Sequence, residues 1–357
     1  MPTSNVKYIG LDVHKEAITV AVRNSTGKLV MESVLEAQSS TLLEFLNEVR
    51  GELDVTLEEG TWAAWLYDVL KPHVSEVVVC NPRRNAFLKE GSKDDRVDAR
   101  KLSELLRARM LRAVYHGENG LRTLRELARS CQVLSKDLRR VMNRIKALYR
   151  SWGIPCKGRQ VYGRRHREQW LQKIREAGVR RRAELFYQQM DTLQGLRHTV
   201  RGELLAESRK HAAVKILRQI PFIGPLRATQ LVALMQTPHR FRSKRQMWTY
   251  SGVAVVTRDC AQYCYVDGKL QRSKKPQQVC GLNQNHNHAL KEILKSAALC
   301  ATLRAGPFQD FYAGLVAKGM KPELARVTLA RKTAAITLTL WKKGECFDLR
   351  YVKSQAA

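Results

Sequence analysis

The chain has 357 residues, of which 44% are hydrophobic, and its 63 Lys and Arg against 33 Asp and Glu give a formal net charge of +30. A chain of this length is too long to fold around one hydrophobic core, so we expect more than one domain. So large a net charge destabilises a compact protein unless a polyanion neutralises it. Nucleic acid is the polyanion that we expect as the partner. Charges interrupt every apolar run before the roughly 18 residues of a membrane helix, so we expect no membrane span.

The eight cysteines are spread along the whole chain without the spacing of a small disulfide-rich domain. Such a distribution is typical of reduced thiols. The first twenty residues have the pattern of a strand and lack that of a signal peptide. We therefore expect a cytoplasmic protein.

Residues 1–105 alternate between strand and helix patterns. The strand-like runs KYIGLDV, AITVAVRN and KLVMESVLE come first, with a hairpin signal between the second and the third. A helix over about 41–50, a strand over 54–58, a helix over about 61–71 and a strand over 76–80 follow. This order predicts a mixed α/β sheet of the RNase H-like (RuvC-like) class.

Residues 106–210 change to a helical pattern that is dense in Arg and Lys. Apolar residues recur every three or four positions over 121–149, which predicts a long helix with one buried stripe, as in a coiled-coil arm. Over 159–182, nine of 24 residues are basic and two are acidic. A solvated linker would have this composition too, but the charge of the whole chain favours phosphate binding. The candidate contacts are Arg164, Arg165, Arg167, Arg180, Arg181 and Arg182.

A third composition occupies residues 211–345, and residues 346–357 form a tail. The segment IPFIGP at 220–225 precedes a helical run and predicts a helix-hairpin-helix-like element, in which Gly224 and Arg227 would lie at a bound phosphate. A mixed segment over 250–280 and helices over about 288–303 and 322–341 complete a mostly helical domain. The polar run 283–288 either binds nucleic acid through Asn283 and Asn285 or caps the helix after it.

Two acidic positions lie on predicted strands. Asp12 projects to the face opposite Leu11 and Val13, where a charge needs a partner or a metal. His14 faces the same side and either binds a metal or forms a surface hydrogen bond. Glu58 and Glu59 end a later strand and point to opposite faces, so only one of them can face Asp12. We favour Glu58 and keep Glu59 as the alternative.

A second pair of acids lies at a predicted helix start. Asp95 and Asp98 are three residues apart and share one side of a helical turn, where a divalent cation relieves their repulsion. With Asp12 and Glu58 they could hold two Mg²⁺ or Mn²⁺ ions for in-line attack on a phosphodiester. The alternative is a capped helix start with surface ion pairs, including one to Arg100, which is also a candidate nucleic-acid contact.

Eight segments carry a resemblance to a known family: YIGLDVHK, LEEGTWAAWLYDVL, VVVCNPRRNAF, KDDRVDARKL, IPFIGPLRATQLVAL, FRSKRQMWTYSGV, GLNQNHNHALKEILKSAA and KPELARVTLARKTAAI. They resemble the DEDD transposases of bacterial insertion sequences, which are related to pilin-gene invertases and described as RNA-guided bridge recombinases. The resemblance implies a RuvC-like domain, a helical arm and a C-terminal domain whose nucleophilic serine forms a covalent link to DNA. Its acidic tetrad would be Asp12, Glu58, Asp95 and Asp98.

The same resemblance implies the partners of the protein. These are donor and target DNA and a non-coding guide RNA made by the element itself. Because two DNA ends must be exchanged, we expect a homodimer or a tetramer. The rival interpretations are a metal-dependent nuclease or junction resolvase that uses the acidic tetrad and water, and a decayed remnant that binds DNA or RNA without cutting.

Two positions depart from the family pattern. The glutamate lies two residues before Gly60 instead of three, and the place expected for the serine carries Cys260. Three possibilities stay open: Cys260 replaces the serine, with Arg258 as an electropositive neighbour that also binds nucleic acid; a nearby hydroxyl acts instead; or the copy is inactive. The candidate hydroxyls are those of Ser251, Thr257 and Ser273.

The cysteines and histidines near Cys260 could also supply the four ligands of a zinc ion. Their spacing lacks the paired form of a typical zinc site, so isolated thiols are the simpler interpretation. The residues concerned are Cys260, Cys264, Cys280, His286 and His288.

Overall fold

The computed structural model describes residues 5–82, 94–116, 119–258, 263–266, 269–272 and 278–353. By their contacts the residues of the chain form two compact units, 1–118 and 119–357. Each unit contains a hydrophobic core of its own. The finer division at residues 105 and 210 stays a prediction.

The first unit is built on a five-stranded sheet. Its strands are β1 (Val6–Val13), β2 (Ala17–Arg23), β3 (Leu29–Glu36), β4 (Glu52–Glu58) and β5 (Glu76–Cys80). Their spatial order is β3-β2-β1-β4-β5. Strand β2 pairs antiparallel with both β1 and β3, while β4 pairs parallel with both β1 and β5. The mixed sheet is confirmed, and its order agrees with the RNase H-like class.

Three helices of the described residues cover the two faces of this sheet. They are α1 (Ser39–Glu48), α2 (Ala63–Leu70) and α3 (Asp95–Arg107). Leu42 of α1 and Leu66 of α2 share a core with Ile9 and Leu11 of β1. Since side chains alternate along a strand, Gly10 belongs to the opposite face, which α3 covers.

Gly10 is the point at which α3 and β1 come closest. A Cβ atom on Gly10 would lie 2.2 Å from the carbonyl oxygen of Ala99 and 2.6 Å from the amide nitrogen of Ser103. The helix backbone therefore lies directly against the strand. Only a residue without a side chain permits this approach.

The second unit is mostly helical, as the sequence predicts. Its helices are α4 (Arg122–Ser151), α5 (Arg167–Gln172), α6 (Ala177–Ser208), α7 (Ala212–Leu217), α8 (Pro225–Met235), α9 (Lys244–Tyr250), α10 (His288–Thr302), α11 (Pro307–Ala317), α12 (Pro322–Lys343) and α13 (Arg350–Lys353). Single 3-10 turns lie at Asn119–Leu121, Gln160–Tyr162, Arg164–His166 and Pro238–Arg240. The strands β6 (Val255–Arg258) and β9 (Gln278–Leu282) pair antiparallel, as do β7 (Tyr263–Val266) and β8 (Lys269–Arg272).

The two longest helices, α4 and α6, pack against each other. The hydroxyl of Tyr187 in α6 donates to that of Tyr149 near the end of α4, at 3.2 Å. Leu204 near the end of α6 shares a core with Leu124 at the start of α4, so the helices run antiparallel. The predicted apolar stripe of α4 is buried at Leu124, Cys131, Leu138, Val141, Ile145 and Leu148. That this pair forms a coiled-coil arm stays a prediction.

The sequence predicts that the chain has no membrane span and that its cysteines are reduced. No helix among them is both long enough and apolar enough to cross a bilayer. Free thiols are found at Cys131, Cys156, Cys300 and Cys346.

We expect Gly10→Ala to destabilise the first unit. The added Cβ meets backbone atoms of α3 that cannot rotate away, and such overpacking costs about 1 to 3 kcal/mol. Thermal unfolding followed by circular dichroism measures this loss as a lower midpoint for the unfolding of the first unit.

Gly60→Ala is the matched control for this change. Its Cβ would come no closer than 4.0 Å to another residue, at the carbonyl oxygen of Glu58. We expect its unfolding free energy to stay within about 0.5 kcal/mol of the wild type. Equal midpoints for the two variants would show that the contact at Gly10 does not limit stability.

Candidate metal centre and nucleic-acid contacts

Asp12, His14 and Asp95 meet at the end of β1. Asp12 is the second-last residue of the strand, and its side chain is 18% exposed. His14 Nε2 lies 3.3 Å from Asp12 Oδ2 and 3.3 Å from Asp95 Oδ1. One ligand atom from each residue lies within 4.8 Å of the other two. The structure thus brings two of the four predicted acids together, with the imidazole between them.

This group fits a divalent cation by the chemistry of its donors. Two carboxylates that share one small volume repel each other, and a cation between them relieves the repulsion. Carboxylate oxygens are the ligands that Mg²⁺ and Mn²⁺ prefer, and an imidazole nitrogen is accepted more readily by Mn²⁺ than by Mg²⁺. His14 also forms the surface hydrogen bond that the sequence left as its alternative role.

The cap of α3 is made by Asp94. Its side chain accepts a hydrogen bond from the amide of Arg96 at 3.2 Å, and its carbonyl accepts one from the amide of Asp98 at 2.9 Å. Asp95 and Asp98 both lie in the first helical turn. Helix capping therefore accounts for neither of these two carboxylates.

Glu58 is the last residue of β4, which runs parallel to β1. Leu57 is in register with Leu11, and both belong to the core beneath α1 and α2. Alternation then places Glu58 on the same face of the sheet as Asp12. The carboxylate of Glu59 is instead 2.7 Å from His116 Nε2. These positions favour Glu58, although the group described above does not include it.

Arg100 connects α3 to β3. Its Nη2 donates to Glu32 Oε2 at 2.6 Å, and its Nε donates to the other carboxylate oxygen. This hydrogen bonding lowers the pKa of Glu32, with the charge of Arg100 adding to the effect. Since this pair holds the helix on the sheet, the contact of Arg100 with nucleic acid stays a prediction.

The candidate nucleophiles occupy different settings. Ser251 is 0% exposed, and its hydroxyl donates to the carbonyl of Met247 at 2.8 Å, so DNA cannot reach it in this conformation. Thr257 is exposed on β6. Cys260, Ser273 and the side chain of Arg258 lie outside the described residues. The burial of Ser251 argues against it as the nucleophile.

The polar run before α10 forms an internal turn. The amide nitrogen of the Asn283 side chain donates to the carbonyls of Thr249 and Asn285, each at 2.8 Å. Asn287 Oδ1 accepts from the amide of Leu290 at 3.1 Å and so caps α10. The capping interpretation therefore applies to Asn287. Asn285 is exposed, and its contact with nucleic acid stays a prediction.

His286 and His288 lie next to each other, with ring centroids 4.4 Å apart. The zinc alternative would also need Cys260 and Cys264, whose side chains lie outside the described residues. It stays a hypothesis.

The turn between α7 and α8 is closed by Arg227. Its guanidinium donates to the carbonyl of Phe222 at 2.8 Å and to the hydroxyl of Ser296 on α10 at 3.3 Å. Gly224 is the N-cap of α8, and a Cβ there would meet open space. The side chain of Arg227 therefore supports the turn, and phosphate binding at the predicted helix-hairpin-helix stays a prediction.

The six arginines of the basic stretch fall into two groups. Arg167 forms two hydrogen bonds to Asp191, at 2.7 and 2.8 Å, and Arg180 donates to the carbonyl of Ile174 at 2.8 Å. These two side chains hold α5 and its neighbouring turn against α6. The exposed members, which can meet a phosphate backbone, are Arg164, Arg165, Arg181 and Arg182.

We expect Asp191→Asn to destabilise the packing of α5 on α6 at neutral pH. The hydrogen bond from Arg167 holds the pKa of Asp191 below its usual value. A lowered pKa contributes stability above the pKa of the unfolded chain, and this contribution is lost as pH falls through the folded value. Hydrogen bonds to charged groups contribute about 1.5 kcal/mol or more. The gap in unfolding midpoint between wild type and variant should therefore shrink from pH 7 to about pH 2.5.

Glu184→Gln is the control, because Glu184 pairs with the exposed Arg181 at 3.0 Å. Such surface pairs contribute about 0 to 1 kcal/mol. A gap for Asp191→Asn that does not change with pH would contradict the assignment of its stability to this ion pair.

Comparison with known proteins gives two matches in this chain. Residues 9–152 match the transposase family model of the IS110 DEDD type, and residues 214–313 match that of the IS116/IS110/IS902 transposase family. The first match contains all four predicted acids, and together the matches cover about two thirds of the chain. No curated protein matches the sequence.

Proposed function

Since the chain belongs to the DEDD-type IS110 family and is a DNA transposase of an insertion sequence, we propose that it cuts and rejoins DNA with a divalent cation held by four acids. These acids are Asp12, Glu58, Asp95 and Asp98. The observation that carries the proposal is the meeting of Asp12 and Asp95 around His14 Nε2, at 3.3 Å from each. Two elements distant in sequence thereby supply carboxylates to one point.

The roles of these residues follow from their positions. Asp12 is held by its strand and partly buried, so it fixes the site on the rigid sheet. Asp95 is more exposed and enters from the first turn of α3. A bound Mg²⁺ or Mn²⁺ would supply Lewis-acid stabilisation to a phosphate under attack. His14 would contribute its nitrogen or hold the two carboxylates in place by hydrogen bonding.

For the nucleophile we propose Cys260, with the hydroxyls of Thr257 and Ser273 as alternatives. A thiolate of Cys260 would form a bond to phosphorus while a phosphorus–oxygen bond of DNA breaks. The DNA oxygen that leaves would take up a proton from water. In the rejoining step a DNA hydroxyl would give its proton to water, form a new bond to phosphorus and release the thiolate of Cys260. The burial of Ser251 supports this choice.

The partners of the proposal are donor and target DNA and a guide RNA. The exposed arginines Arg164, Arg165, Arg181 and Arg182 support nucleic-acid binding by residues 106–210, which we propose to form a coiled-coil arm. Residues 1–105 would be the RuvC-like domain, and residues 211–345 would be the C-terminal domain with its helix-hairpin-helix-like turn. Exchange of two DNA ends would require a homodimer or a tetramer.

The assignment of Glu58 can be separated from Glu59 by two matched variants. We expect Glu58→Gln to weaken Mn²⁺ binding by about tenfold or more, because it removes a negative ligand from the site. Glu59→Gln removes the same charge one residue away, where the carboxylate lies 2.7 Å from His116 Nε2. Its affinity for Mn²⁺ should stay close to that of the wild type.

Isothermal titration of the full chain with Mn²⁺ measures both variants. Asp12→Asn serves as the positive control and should lose binding. If Glu59→Gln weakens binding and Glu58→Gln does not, the tetrad contains Glu59.

The cutting reaction is tested by trapping its covalent intermediate. Purified protein is incubated with Mg²⁺, RNA transcribed from its own element and labelled donor and target DNA, then denatured and separated by electrophoresis. We expect a protein–DNA adduct that Asp12→Asn and Cys260→Ala both abolish. Cys260→Ser should keep an adduct, because it restores a hydroxyl at this position.

Other outcomes select other functions. An adduct lost in Asp12→Asn but kept in Cys260→Ala would move the nucleophile to Thr257 or Ser273. Free cut ends without an adduct would indicate a nuclease or junction resolvase. Binding of DNA and RNA with no cut product would indicate a decayed transposase.

A further inference from the structure

A groove lies between α10 and α12 in the second unit. It has a volume of about 560 Å³, and its lining includes Lys291, Lys295, Leu299, Glu323, Arg326 and Val327. We call it the lysine groove. On the other side of α10 lies a second groove of about 280 Å³, which shares His288, Glu292 and Ser296 with the first.

The charges in the lysine groove are not balanced. Glu292 is paired with Arg139 at 3.2 Å, and Glu323 is paired with Arg326 at 3.4 Å. Among the residues that the structure describes, neither Lys291 nor Lys295 forms an ion pair with a carboxylate. Two positive charges are therefore left uncompensated in the groove.

The spacing of these lysines opposes the stability of α10. Residues four apart lie on one face of a helix, and like charges there destabilise it by about 0.2 to 0.5 kcal/mol. Burial lowers the pKa of Lys291, and the charge of Lys295 lowers it further. An arrangement that costs stability and concentrates positive charge in a concave surface is suited to an anionic ligand.

We infer that the lysine groove binds the phosphate backbone of DNA. Lys291 and Lys295 would each neutralise a phosphate, and the apolar side chains of Leu299 and Val327 would pack against the sugar edge. On the other side of α10, Lys136 lines the second groove and extends the basic surface. The inference rests on the proposed function only in taking DNA as the substrate.

The test measures binding of a fluorescent DNA duplex of about 30 base pairs to the full chain as a function of salt concentration. Each neutralised phosphate adds about 0.9 to the slope of log affinity against log salt. We expect the double variant Lys291→Ala and Lys295→Ala to lower the slope by about 1.8 and to bind at least about tenfold more weakly at 0.1 M salt.

Two further variants keep the result specific. Lys318→Ala with Lys321→Ala removes the same charge from exposed positions outside the groove, and its slope should match the wild type. Lys291→Arg with Lys295→Arg keeps the charge and should bind DNA normally. The alanine pair should unfold at the wild-type temperature or above, since it removes a repulsion.

Several outcomes would overturn the inference. They are an unchanged slope in the alanine pair, equal losses in the groove and control pairs, or loss of binding in the arginine pair. Weaker binding to RNA of the same sequence, with DNA binding intact, would show that RNA occupies the groove instead. Mn²⁺ affinity and covalent adduct formation test the acidic site separately, so their persistence would leave the proposed function standing if the groove fails.

Discussion

The close contact between β1 and α3 is the constraint on which the acidic site depends. At Gly10 the strand carries no side chain, and the backbone of α3 lies where a Cβ would be. The helix start that bears Asp95 is thereby brought to the strand end that bears Asp12. Arg100 strengthens the same placement by its ion pair with Glu32 on β3. A site that needs carboxylates from a strand and a helix is thus built on backbone packing, which fixes positions more firmly than flexible loops do.

The positive charge of the chain is divided between internal contacts and exposed surface. Arg167, Arg180 and Arg227 all bind acceptors of their own unit. Their substitution would lower stability before it affected any ligand. The side chains of Lys291 and Lys295 bind no carboxylate among the described residues. The three arginines therefore stabilise the fold, whereas the two lysines are available to bind a ligand.

The turn that leads into β6 is held from α12. Arg331 Nε donates to the carbonyl of Val253, and the carbonyl of Arg331 accepts from the indole of Trp248 at 3.0 Å. Gly252 has a φ of +68°, and the ring of His286 occupies the space that a side chain would need. This anchoring fixes the start of the segment that carries Thr257, and it also explains why the neighbouring Ser251 is buried.

The sequence by itself determined the secondary structure of the first unit, the apolar stripe of α4 and the candidate acids, because these depend on local periodicity and on residue type. It did not predict α11, although Pro307 after Gly306 is a typical helix start, because a short helix leaves a weak periodic signal. Tertiary structure alone decided that His14 joins Asp12 to Asp95, that Arg167 is bound to Asp191, and that Lys291 and Lys295 line a groove. These contacts join residues on different elements, and only the packed chain sets the distances between them.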